Sequence, residues 1–257
     1  MKKTFVSRFL PCFLTGILTM SAAWPQEDAN KHRIVLQEIQ ALELDGRFHV
    51  VLRQGVEECA VIEAPDEVFV KMKAKQSGKT FALSAKDKDT RSYKPFAVYI
   101  TLRSPEQISL KGAVKVETDG VLTCRKLSLQ LSDDALFDAE IRSSESISVK
   151  MDNHAVLKAS VNAVKSCRMD LSGYAAVSAS GYVPSMNLVQ RDASKFGGRE
   201  FRTDKLEAKL SDNSQTGITV NTALSATVED AAVLLYGGAP KTKVSTSGVA
   251  KVSAFGN

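Results

Sequence analysis

Three stretches of the sequence superimpose without a gap: LSLQLSDDALFDAEI at residues 127–141, ISVKMDNHAVLKASV at 147–161 and CRMDLSGYAAVSASG at 167–181. Within each, apolar side chains recur at every second position, the spacing of a strand with one buried face. Leu127, Leu129 and Leu131 alternate with Ser128 and Gln130, and Ala135, Phe137, Ala139 and Ile141 resume the pattern after a polar turn. The next stretch repeats the set as Ile147, Val149 and Met151, then Ala155, Leu157, Ala159 and Val161. Two short strands joined by a tight turn and repeated in this way specify a β-solenoid. Each coil of such a fold bonds to the next about 4.8 Å away, and like residues stack.

Five more stretches fit the same frame, starting at Glu106, Met186, Leu206, Leu224 and Thr242. The small residue after each turn falls at Val114, Ala135, Ala155, Ala175, Ser194, Ser214, Ala232 and Ala250, at spacings of 21, 20, 20, 19, 20, 18 and 18. The turn itself reads Gly112, Asp133, Asn153, Gly173, Asp192, Asp212, Asp230 and Gly248. Gly, Asn and Asp tolerate positive φ or bond their own backbone, so this column is read as turn chemistry. A calcium ladder is not expected, because the Gly-Gly-x-Gly-x-Asp repeat of calcium-binding β-rolls is absent.

Residues 33–105 lack the 20-residue beat but remain strand-like, with apolar alternation at 39–44, 48–52, 68–72, 81–84 and 98–102. They are read as an irregular β cap. The expected organisation is a secretory leader at 1–23, a linker at 24–37 and one β unit at 38–257. Within that unit the cap occupies 38–105 and the coils 106–257. The leader reading rests on Lys2, Lys3 and Arg8 before an apolar stretch at 9–20 and the small residues Ser21, Ala22 and Ala23. Removing it leaves 31 basic and 29 acidic residues, and no basic cluster of the kind nucleic acid requires. No later stretch is long and apolar enough to cross a bilayer as a helix. The mature chain is expected to be exported, to the periplasm or the cell surface.

Cys59, Cys124 and Cys167 remain after the leader, an odd number unsuited to a disulfide scaffold. Cys124 and Cys167 occupy different columns two coils apart, so no bridge between them is expected. His32, His49 and His154 are scattered outside any metal-ligand spacing, and no metal or cofactor is expected.

The order of a strand VVLRQG at 50–55, a strand VYITLRSP at 98–105 and recurrent units such as LSGYAAVSASG and TSGVAKVSAFGN resembles the auto-transporter adhesin head family, the GIN or DUF2807 family of exported proteins common in Bacteroidetes. That resemblance spans roughly residues 38–256. It implies a right-handed β-helix-like fold and a cell-envelope location, with no catalytic residues to carry over. Self-transport is not expected, since the sequence stops at Asn257 without a barrel-forming stretch.

The residues themselves nominate two outward columns. Leu136, Val156 and Ala176 form an apolar stripe on three successive coils, flanked by Lys115 and Lys195. A bare apolar stripe marks a contact surface unless the chain covers it itself. Glu117, Asp138 and Lys158 form a mixed-charge ladder beside it, without a second acidic column of the kind a glycosidase groove needs. The expected function is a non-enzymatic binding or adhesion module recognising a glycan or surface protein. A polysaccharide-active enzyme or a purely structural envelope protein are the alternatives. Lys241, Lys243 and Lys251 put charge on the last coil and favour a monomer.

Overall fold

The structure is a computed structural model and describes residues 30–85, 96–163 and 165–255. The leader, the charged run at 86–91 and residues 256–257 lie outside the described residues. Strand accounts for 71% of the described residues and helix for 2%, an all-β architecture.

From the N terminus, β1 (Lys31–Val35), β2 (Ala41–Gly46), β3 (His49–Gln54) and β4 (Cys59–Glu63) precede one turn of helix, α1 (Asp66–Phe69). Then come β5 (Met72–Ser77), β6 (Thr80–Ala85), β7 (Ala97–Leu102) and β8 (Gln107–Gly112). The repeating stretches form β9 (Lys115–Leu131), β10 (Leu136–Met151), β11 (Val156–Ala163), β12 (Ser166–Leu171), β13 (Ala176–Gln190), β14 (Lys195–Leu210), β15 (Gln215–Val228), β16 (Val233–Gly237), β17 (Lys241–Thr246) and β18 (Lys251–Ala254). They wind into a β-solenoid of about seven turns with coils of about 20 residues.

Two faces result. Before each turn the strands stack as one sheet, for example Leu129–Val149–Met169–Leu188–Ala208–Ala226–Val244 in parallel register. After each turn they stack as a second sheet, Val116–Phe137–Leu157–Val177–Phe196–Thr216–Leu234–Val252. Inward residues of the two sheets form one continuous apolar cluster.

The turn column has a geometric cause. Asp133, Asn153, Asp192, Asp212 and Asp230 all adopt φ between 57° and 60°. The side chains then reach back along the stack. Asp133 accepts the Gly112 N–H at 3.1 Å, Asp192 that of Gly173 at 2.8 Å, Asp212 that of Asp192 at 3.0 Å and Asp230 that of Asp212 at 3.1 Å. Gly serves where φ alone is needed and Asp where the preceding coil presents an N–H, while Asn153 instead donates its side-chain amide to Asp133 Oδ1 at 3.1 Å.

Asp212 also accepts the Ser211 hydroxyl, and its carboxyl is held below the ordinary range by the Asp192 N–H first and by Ser211 second. A carboxylate depressed below its usual pKa of about 3.9 stabilises the fold above that value. Its contribution is lost as pH falls through the lower, folded-state value. The melting-temperature gap between wild type and Asp212→Asn is therefore expected to stay constant from about pH 7 to 5 and to narrow below about pH 4. Thermal melts followed by circular dichroism test this, and a gap unchanged to about pH 2.5 contradicts it.

The N-terminal part departs from the sequence reading in three ways. Residues 31–35, placed in a linker, form β1, which pairs antiparallel with β4. Residues 68–72, read as a strand, hold the end of α1 and the start of β5, and the fully buried Val68 plugs the end of the core. Most of the region is also not irregular. β2 and β3 form a coil that pairs in parallel with β8 and β9 on one side and with β6 and β7 on the other. A layer from residues 41–54 thus lies between strands at 80–85 and 97–102 on one side and a layer from 107–119 on the other. Beyond these, β1, β4 and β5 pair antiparallel and close the stack.

The cysteines follow the columns. Cys124 stands opposite Ser143, whereas Cys167 pairs with Ile147 and Met186. Complete burial pushes the Cys167 thiol up to about 12, leaving almost no thiolate at neutral pH. Iodoacetamide at pH 8 is expected to leave Cys167 unmodified in the folded protein and to alkylate it in guanidinium. Peptide mass spectrometry reads the difference, and labelling of the native chain contradicts the packing.

Candidate functional site

The outer face of the second sheet carries the nominated residues. Lys115, Leu136, Val156, Ala176 and Lys195 lie side by side on β9, β10, β11, β13 and β14. The three apolar members are half-buried by their neighbours along the sheet. Glu117, Asp138 and Lys158 form the adjacent column in register, and all three are exposed. His49, from the interleaved layer, places Nε2 3.4 Å from Glu117 Oε1.

Around that second column the structure adds what the sequence reading lacked. A hollow of about 640 Å³ is lined by Glu117, Asp119, Asp138 and Glu140, with Val51 and Thr118. Asp119 and Glu140 add two carboxylates to Glu117 and Asp138, without forming a second column in register. Alternation turns both outward, Asp119 after Glu117 and Glu140 after Asp138, but the ladder between β9 and β10 slips after Asp138, so Glu140 stands opposite Val121 rather than Asp119.

Further along the same face runs a groove of about 600 Å³. Its floor is the column Ser178–Gly197–Gly217, and Leu235 with Val233 closes one end. Lys195 and Gln215 stand on one lip, Arg199 and Glu200 on the other. Alternation turns Arg199 outward after Lys195 and Gly197, and the register shift between Gly198 and Arg202 leaves Glu200 exposed beside it. The Arg199 guanidinium lies 5.2 Å from the centre of the Phe255 ring, a cation–π contact that fixes the lip.

The glycines of this floor differ from those of the turns. Gly198 is forced, because a Cβ there would lie 2.3 Å from the Phe196 ring. Gly197 and Gly217 have ordinary φ, and an added Cβ would meet its nearest atom at 3.4 and 3.6 Å, normal packing distances. Glycine inside a strand costs about 0.5–1 kcal/mol relative to alanine. The fold does not require it at these two positions. Beneath the floor the core is polar where other coils are apolar: the buried Gln190 accepts the Thr216 hydroxyl and donates toward Ser194 Oγ at 3.4 Å.

Two smaller clusters sit at the corner of the coil. Glu145 meets Arg125 at 3.3 Å, Lys126 at 3.4 Å and Lys165 at 4.0 Å. Desolvation pushes its carboxyl up, and the three cations outweigh that and hold it below the usual range. Asp204 accepts the Tyr182 hydroxyl at 2.6 Å and Asn221 Nδ2 at 3.0 Å, bonds that lower its own pKa and raise that of Tyr182. Among the described residues no group of three or more His, Cys, Asp or Glu side chains is placed to hold a metal ion, and no helix is long and apolar enough to cross a membrane.

The family described as "Putative auto-transporter adhesin, head GIN domain" matches residues 39–240. The chain belongs to this family. Among solved structures, a "putative adhesin" from Parabacteroides distasonis is similar to this GIN-domain chain with a TM-score of 0.79 at 10% identity, over 88% of this chain and 96% of that one. A "putative lipid binding protein" from the same organism has the same score, identity and coverage. A "putative adhesin" from Parabacteroides merdae has a TM-score of 0.66 at 12% identity, over 88% and 95%. At these identities the likeness shows the fold. Two different functional descriptions on equally similar chains underline that the fold assigns no ligand. No curated protein matches the chain.

Proposed function

We propose that this GIN-domain chain is a non-enzymatic adhesion module of the cell envelope. In this reading residues 38–257 act as one β unit and recognise a glycan or a protein through the outer face of the second sheet. The family and two of the three similar solved structures are described as adhesins, which supports an adhesion-like role for an exported or surface protein. The observation that carries the reading is the face itself. One sheet side presents, in register, a half-buried apolar stripe and a groove floored by glycines that the fold does not need.

A polysaccharide-active enzyme is the second reading, favoured by the four carboxylates around the acidic hollow. Screening the mature chain on a glycan array while assaying released reducing ends separates the two. Binding without release supports adhesion. Release that disappears in Glu140→Gln supports the enzyme.

A further inference from the structure

We propose that the groove over Gly197 and Gly217 binds an acidic saccharide, a short uronate-bearing chain lying along the column with its carboxylate toward Lys195 and Arg199. The proposal rests on the adhesion reading and narrows it to one site and one ligand class.

The floor supports a saccharide in two ways. Gly197 leaves open a trench and Gly217 seats the stem of Arg199, whose Cγ lies 3.6 Å from where a Cβ would sit; a larger side chain in the same register, such as Leu235 in the next coil, would fill the one and displace the other. Nothing in backbone conformation or packing demands glycine at either place. The trench crosses three coils at about 4.8 Å each, about the length of two to three pyranose rings. The lining is mixed in the way a sugar ring requires: Val233 and Leu235 meet its C–H face, while Ser178, Gln215 and the lip charges meet its hydroxyl rim.

Charge selects the acid. Lys195 and Arg199 give the lips two cations against the single carboxylate of Glu200, which is left to accept sugar hydroxyls. Arg199 is already positioned by Phe255, so less side-chain freedom is lost when it receives a carboxylate. An acidic peptide fits less well. The floor strands β13, β14, β15 and β16 are paired on both sides in the ladder, so no free strand edge is available for an added strand.

Calorimetric titration of the mature chain with trigalacturonate, and with maltotriose as its uncharged counterpart, tests the site. Trigalacturonate is expected to bind at least about tenfold tighter than maltotriose and to weaken as salt is raised. Gly217→Val is expected to lose at least tenfold in affinity while its melting temperature holds or rises by about 2 °C. Arg199→Ala is expected to lose about tenfold. Equal affinity for maltotriose, equal affinity for hexaglutamate, or unchanged binding in Gly217→Val overturns the proposal. The array on the wild-type chain decides the adhesion reading separately: array binding that survives in Gly217→Val and Arg199→Ala sinks the groove and leaves adhesion standing.

Discussion

Leu157→Asp is expected to abolish folding. Leu157 stands between Phe137 and Val177 in the second sheet and is fully buried. Its truncation in Leu157→Ala removes packing on both neighbouring coils and is expected to cost about 2–5 kcal/mol. An aspartate there adds a carboxylate to an interior with no cation near it in the stack. The total stability of a domain, about 5–15 kcal/mol, does not cover both losses. Lys158, the next residue, faces water, and Lys158→Ser is expected to change stability by at most about 0.5 kcal/mol. Urea denaturation of the three variants checks the contrast. Similar midpoints for Leu157→Ala and Lys158→Ser mean that the inward and outward faces are reversed.

Gly46→Val is the second large effect expected, at about 3 kcal/mol or more. Gly46 has φ near 144°, and a Cβ on it would lie 2.4 Å from the Ala85 carbonyl oxygen. On its other side the Gly46 carbonyl oxygen lies 2.7 Å from where a Cβ on Gly112 would sit. The residue is wedged between β6 and β8, and the clash arises only if the 41–54 layer is threaded between layers that follow it in the chain. Gly78 is the control. It also has positive φ, at 56°, but nothing lies within 4 Å of its Cβ position, so Gly78→Asn is expected to be nearly neutral. Melts of both variants decide the matter, and a Gly46→Val protein as stable as Gly78→Asn refutes the threading.

The coils from Gln107 onward were legible because their signals are local. Period-2 alternation, a turn residue suited to positive φ and a small residue two positions later recur in every coil, and each has a structural cause within it. The interleaved layers were not legible, because their two halves come from separated stretches of chain. Gly46 belongs to the same column as Gly112, yet the next turn downstream in the stack is 66 residues away rather than 20. The single turn α1 was masked by apolar spacing, although Pro65, Asp66 and Glu67 are ordinary signals of a helix start. Of the candidate site, the stripe of Leu136, Val156 and Ala176 was readable as a column. The groove was not: the fall in spacing from 20 to 18 after Ser214 accompanies the register shift beside Gly198, but it does not say which residues the shift exposes. Thr216 and Gln190 sit at apolar positions of the repeat, and their mutual hydrogen bond, with the bond from Gln190 toward Ser194, explains why the core accepts them.

The threaded layer also dictates the order in which the molecule can assemble. Neighbouring coils such as β10 and β11 join residues 20 apart, so each closes as soon as its own two segments are available. β2 and β3 join β8 and β9 across 66 residues, and pairings that span more chain form more slowly. The earliest-made layer therefore waits for residues made long after it, whereas each later coil closes on its immediate predecessor. Residues 41–54 keep one sheet edge without its native partner until residues 107–119 have followed. The stretch that begins at Gln107 therefore sets when that edge is covered.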